Sequence, residues 1–225
     1  MHLLLTDRLC CPRCGPDFGL ILLADRVDDR RVSEGRLGCA NCRDAFPVDA
    51  GFGDLRPPPR GSLGATLRPP EDASEEDVVR LGALLGVTEG PGNVALLGGT
   101  LDHAALLADL LDGVEIVAVG DGLRGAPERP GVSRFAAGSR LPFFSMSLRA
   151  VALDESAHDL IPEAVRVTAA GGRVVVLDAD SRARETLESS DTTVVLDGEG
   201  VLVGLRGHAP GKADGSVIPL PIFPG

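Results

Sequence analysis

The chain has no tyrosine and no tryptophan, and seven phenylalanines are its only aromatic residues. Single-stranded nucleic acids are held largely by stacking on exposed rings, so composition argues against that class of ligand. Lysine is almost absent too: Lys212 is the only one. The 22 cations, nearly all arginine, are outnumbered by 33 carboxylates, giving a formal net charge of −11. A basic stripe for nucleic acid or for an anionic membrane is therefore not expected. No apolar run approaches the ~20 residues of a membrane span, and nothing at the start resembles a secretory leader. The composition reads as a soluble cytoplasmic protein that binds neither nucleic acid directly nor membrane.

The five cysteines lie within the first fifth of the sequence. Four form two Cys-x-x-Cys pairs, Cys11-Pro12-Arg13-Cys14 and Cys39-Ala40-Asn41-Cys42. A tight turn carries both sulfurs of a pair to one side, and two such turns facing each other make the tetrahedron that zinc accepts. The competing reading is two disulfides, which a reducing compartment disfavours. Four thiolates close the coordination sphere, so the metal is expected to be structural and not catalytic. A segment this small buries too little apolar surface to fold alone, and metal binding would supply the difference. Cys10 is left over and reads as a small buried hydrophobe.

At 225 residues there is room for one ordinary domain and a small one. Phe18–Leu23 reads as a strand, and the charged run Asp25–Glu34 as an exposed loop or hairpin tip. Residues 57–70 are proline-rich and read as an extended linker. Ser74 is a good N-cap for a helix whose apolar stripe is Val78, Leu81, Leu84 and Leu85, with Gly86 as its stop. From Val94 onward, apolar runs at 94–97, 114–119, 132–135, 148–153 and 173–177 alternate with helical patterns at 103–111, 158–169 and 179–188. A hairpin follows, with 192–196 and 201–205 flanking Asp197-Gly198-Glu199-Gly200. The pattern predicts an α/β three-layer sandwich on a mostly parallel sheet, followed by an extended tail.

Two resemblances sharpen this. Cys11, Pro12, Cys14, Leu37, Cys39, Cys42, Phe46, Pro47, Val48 and Gly51 follow the pattern of the small zinc-ribbon proteins that bind and activate methyltransferases. That family often has tyrosine where Phe46 stands. Further on, Leu141-Pro142-Phe143 before Ser147–Val151, Glu163 with Arg166–Gly172, and the closing hairpin resemble the class I S-adenosylmethionine methyltransferases. The resemblances imply a zinc ribbon over 1–56, a linker over 57–70, a methyltransferase-like Rossmann domain over 71–208 and a tail over 209–225.

The methyltransferase resemblance places a glycine turn at Gly98 and Gly99, and a ribose-gripping acid near Asp121. Several anchors of that family are replaced. Leu96 takes the acid position of the first strand, Gly120 that of the second, and Ala137 that of the adenine-binding acid. Thr100 and Asp102 stand at later glycine positions and are expected to project into the methionine subsite. Each lost polar contact is worth about 1.5–3 kcal/mol, so the expectation is a fold that has lost S-adenosylmethionine. Only if the cofactor binds would Gly98, Gly99 and Asp121 hold it. Asp154, Glu155 and His158 are weaker candidates near the fourth strand's end, with a solvated loop as the plain alternative. His103 and His208 read as surface residues. The function expected is a non-catalytic partner or scaffold for a methyltransferase, or a homo-oligomer. The alternatives are a live S-adenosylmethionine-dependent methyltransferase on a small acceptor, and a purely structural metalloprotein.

Overall fold

The computed structural model describes residues 1–63 and 73–207. The second half of the proline-rich linker, His208 and the tail lie outside the described residues.

The N-terminal part is an antiparallel meander. It comprises β1 (Cys10–Cys11), β2 (Gly15–Asp28), β3 (Arg31–Cys39), β4 (Ala45–Asp49) and β5 (Phe52–Asp54). The run Asp25–Glu34 is two arms of one long hairpin, β2 pairing β3 from Leu20↔Cys39 to Asp28↔Arg31. Only Asp29 and Arg30 turn, both at positive φ. The arms read as a loop because most of β2 is solvated, which erases the alternation a half-buried strand shows.

The rest alternates: α1 (Glu75–Leu85), β6 (Gly92–Leu97), α2 (Ala104–Leu110), β7 (Val114–Val119), β8 (Val132–Ala136), β9 (Leu148–Leu153), α3 (Ile161–Val167), β10 (Thr168–Val176), α4 (Ser181–Glu188), β11 (Thr192–Gly198) and β12 (Val201–Arg206). Ser74 caps α1 by accepting from the Asp77 N–H, and Gly86 ends it at φ 65°. The predicted helix over 158–169 is shorter. A 3₁₀ turn occupies 155–160, and β10 begins at Thr168.

Strands run in the order β8-β7-β6-β9-β10-β12-β11, with β12 antiparallel to its neighbours. Counted from β6, that is 3-2-1-4-5-7-6, a methyltransferase-like Rossmann sandwich. Successive strand residues serve opposite faces. Val94, Leu96, Ile116, Ala118 and Ala152 pack toward α1 and α2. Ala95, Leu97, Val117, Val119 and Val151 pack toward α3, α4 and the N-terminal meander. The two layers are therefore built from one set of strands.

The meander is not an appendage. β5 pairs in parallel with β8, Phe52↔Arg134 to Asp54↔Ala136, so a single sheet runs through the molecule. Gly53 makes this possible, because a Cβ there would sit 2.7 Å from the Phe135 ring. Leu9, Leu37, Phe46 and Leu55 share one buried cluster with Phe135, Leu141 and Phe143. Two arginines tie the parts together. Arg134 is 4 % exposed and donates to the carbonyls of Leu123, Ala126 and Ala50. Arg31 pairs with Glu115 at 3.2 Å and donates to the Val132 carbonyl.

The motifs around Leu141 and Glu163 meet as a clamp. Arg166 forks onto Glu163 at 2.7–2.8 Å and donates to the carbonyls of Phe143 and Leu141, both at 2.8 Å. Glu163 in turn accepts the Leu141 N–H. The 137–147 connection, which has no helix, is held to α3 this way.

Candidate functional site

Two places in the molecule gather chemistry-bearing groups. The first is the cysteine cluster. The sulfurs of Cys11, Cys14, Cys39 and Cys42 all lie within 4.8 Å of one another. Cys11 Sγ is 3.7 Å from Cys42 Sγ, and Cys39 Sγ is 3.8 Å from Cys14 Sγ. A tetrahedron with metal–sulfur bonds near ~2.3 Å has edges of about 3.8 Å, so these separations fit one ion. The donor set fits too. The Cys14 N–H points at Cys11 Sγ from 3.4 Å, and Asn41 Nδ2 at Cys14 Sγ from 3.3 Å. Such N–H···S contacts favour thiolates.

The cluster is electrostatically unbalanced by itself. Burial raises the Cys39 thiol, but the backbone N–H groups of Cys42 and Asn41 outweigh it and bring it down to about 7. Burial and three neighbouring sulfurs push Cys42 up to about 12. A dication removes this conflict by neutralising several thiolates at once. Arg13, bonded to Asp44 at 3.0 Å, bridges the two knuckles from outside. Cys10 lies apart from the four, buried, and burial pushes its thiol up to about 11, as suits an inert side chain.

The second place is a cleft of about 740 Å³ at the C-terminal ends of the parallel strands. Ligands of open α/β sheets bind at such an edge. Gly98 and Gly99 form its floor, with Asp102, His103, Gly120, Asp154 and Asp178 around it. Gly98 has φ 65°. The space that its missing side chain leaves open is filled by the chain itself. A Cβ on either glycine would collide with the Asp154 carboxylate. Asp154 Oδ2 accepts the Gly99 N–H at 2.8 Å, and Oδ1 accepts the Ser156 N–H at 3.1 Å and its hydroxyl at 2.6 Å. The glycine turn thus has its donor answered internally.

Other residues stand as follows. Thr100 does not project into the methionine subsite, which corrects the expectation. It is 1 % exposed, and its hydroxyl bonds the Leu97 N–H and the carbonyls of Leu97 and Ala152. Threonine is tolerated there because its hydroxyl stitches β6 to β9. Asp121 is not brought together with Gly98 and Gly99. Its carboxylate faces Arg56 at 3.8 Å, beside the Arg56–Asp54 pair at 2.9 Å. Gly120 lies in the cleft instead, with Leu101 packed where a Cβ would be. His103 is not simply a surface residue. It lines the cleft, and its Nδ1 is buried without a hydrogen bond among the described residues. His158 sits away from the cleft, 3.9 Å from Asp180, in a small pocket against α4. The Asp154 contact spans 55 residues and leaves no local mark in the sequence.

No known protein family matches the chain, and no curated protein sequence does. Among solved structures it is similar to a geranyl diphosphate C-methyltransferase from Streptomyces coelicolor. That likeness has 17 % identity and a TM-score of 0.42, over 54 % of this chain and 59 % of that one. It is also similar to a complex between the Haloferax volcanii Trm112 methyltransferase activator and a methyltransferase, with 16 % identity and a TM-score of 0.45, over 58 % and 90 %. A third is a tRNA (m1A58) methyltransferase from Aquifex aeolicus, with 15 % identity and a TM-score of 0.45, over 63 % and 72 %. The likenesses are partial, and no function follows from them. No helix among the described residues is long and apolar enough to cross a membrane.

Proposed function

We propose that this chain is a zinc-stabilised, methyltransferase-like protein that does not transfer methyl groups and serves as a partner or scaffold for a methyltransferase. The observation that carries this is the Asp154 carboxylate in the glycine turn, bonded to the Gly99 N–H where a cofactor would approach the backbone. Two features support it: the acid position of β7 is Gly120 under Leu101, and Asp121 is turned to Arg56. Losing several anchors at about 1.5–3 kcal/mol each weakens cofactor binding by on the order of 10³-fold or more. Zinc would be held by Cys11, Cys14, Cys39 and Cys42 and would shape the two knuckles. The inner edge of the N-terminal meander, β5, is already paired with β8, so a partner must use another surface.

A second reading rests on the cleft, which at about 740 Å³ has room for a nucleoside-sized ligand. It would make the chain an S-adenosylmethionine-dependent methyltransferase on a small acceptor, with Asp154 displaced on binding. Titration calorimetry with S-adenosylmethionine and S-adenosylhomocysteine separates the two. No saturable binding up to millimolar ligand is expected; a dissociation constant in the micromolar range overturns the non-catalytic reading in favour of the second. Co-purification from the native cell is expected to recover a methyltransferase.

A further inference from the structure

The two knuckles meet through side chains as well as through sulfurs. Asn41 lies in the turn of the second, Cys39-Ala40-Asn41-Cys42. Its side chain crosses to the first, where Nδ2 stands 3.3 Å from Cys14 Sγ. Among the described residues, no other side-chain nitrogen bonds any of the four sulfurs. A metal-bound thiolate offers only lone pairs, so the amide must turn its N–H, and not its carbonyl, to the sulfur. Arg13 crosses in the opposite direction, to Asp44 at 3.0 Å, but its side chain is 57 % exposed. An ion pair so open to water is worth little. Asn41 is exposed too, yet its bond ends on a half-buried sulfur. A hydrogen bond to a charged acceptor is roughly twice as strong as one between neutral groups, so the Asn41 link is the one that matters to the metal.

We infer that Asn41 is a positioning residue for the metal: its amide bonds the Cys14 thiolate, holds that ligand in place and draws off part of its charge. The inference rests on the zinc site proposed above. Four thiolates around one dication leave the centre negative, in a chain whose net charge is already −11. N–H groups aimed at sulfur stabilise such a centre and orient its ligands. The backbone supplies them for Cys11, from Cys14, and for Cys39, from Asn41 and Cys42. Cys14 receives its donor from a side chain instead, so this one contact can be removed by substitution. Its place is also telling. Cys11 and Cys39 are buried, whereas Cys14 and Cys42 are half-buried. A chelator drawing the ion out meets those two sulfurs first, and the Asn41 amide occupies a lone pair on one of them.

The test uses the full chain loaded with zinc or with cobalt(II), whose sulfur-to-metal charge-transfer band reports on the thiolates. Asn41→Ala removes the donor. Asn41→Asp keeps the shape and sets a carboxylate against the sulfur. Asn41 is exposed, so neither variant disturbs the core. Competition with a chromophoric chelator is expected to show zinc held about tenfold more weakly in Asn41→Ala, and more weakly still in Asn41→Asp. The cobalt band should move to lower energy in both, because a sulfur lone pair that loses a hydrogen bond gives up its electron more easily. A merely structural role for the side chain would leave the band where it is. Affinity within about twofold of the unsubstituted chain, or an unmoved band, overturns the inference and leaves the zinc site standing. An unsubstituted chain that takes up neither metal overturns both.

Discussion

The cysteine cluster and the glycine-turn cleft pose the same physical problem and solve it in opposite ways. Each aims backbone N–H groups at a point where negative charge belongs. At the knuckles the charge comes from sulfurs packed 3.7–3.8 Å apart, which repel unless a cation joins them. In the cleft it comes from Asp154, which already fills the turn. On the proposed reading, one arrangement is completed by an ion and the other has its donor answered by the chain itself. A glycine turn at a strand end is therefore not evidence of a bound nucleotide until the question of what faces its N–H groups is answered.

The contrast predicts a ranked set of effects. Removing the ion should cost most. Chelation, or Cys39→Ser, is expected to release one metal equivalent per chain and open the knuckles to protease, with a loss bounded by the ~10–16 kcal/mol of small zinc domains. Elemental analysis and limited proteolysis over residues 1–56 check it. Survival of both knuckles in the metal-free chain would erase the contrast. The joint between the two regions comes next. Arg134→Met takes the buried side-chain donor from the carbonyls of Ala50 and Ala126, while the Leu123 carbonyl keeps the Ala126 N–H. Denaturant unfolding should show a loss of roughly 3 kcal/mol.

Asp154→Ala should cost less, about 1–2 kcal/mol, because it frees two N–H groups beside solvent. Metal content should not change, and a thermal melt with metal analysis tests both. The smallest effect concerns pH. Burial opposes ionisation of Asp54, but bonds from Arg56 prevail and hold its carboxyl below the usual range. A depressed carboxyl stabilises the fold above the unfolded value, and that contribution is lost as pH falls through the folded one. Asp54→Asn should therefore lower stability by a few tenths to about 1 kcal/mol at pH 7. The gap from the unsubstituted chain should close below about pH 4, as urea melts across pH would show.

Much of the architecture was legible because it rests on local signals. The apolar runs at 94–97, 114–119 and 148–153 are buried on both faces, so they stand out as unbroken stretches and appear as β6, β7 and β9. Ser74 and Gly86 marked α1 through chemistry that acts within one turn. The four cysteines were legible because metal geometry fixes spacing. What stayed hidden depends on long-range pairing. Nothing in Phe52-Gly53-Asp54 shows that three residues bridge to β8. Nothing around Gly98 shows that Asp154 returns to fill it. Thr100 looked like an obstruction because its burial depends on β9 lying beside it.

The pairing of Phe52 with Arg134 has a consequence for biosynthesis. The cysteine-bearing segment leaves the ribosome before the strands it joins, and its last strand, paired only with β4, lacks β8 until the polypeptide has been translated past Ala136. Through that interval Phe46 and Leu37 lack the Phe135 and Phe143 rings that later enclose them. If the cysteine cluster holds zinc as proposed, early capture of the metal would keep the nascent segment in shape during that wait, so zinc scarcity should show up as failed maturation of newly made chains more than as loss of finished ones.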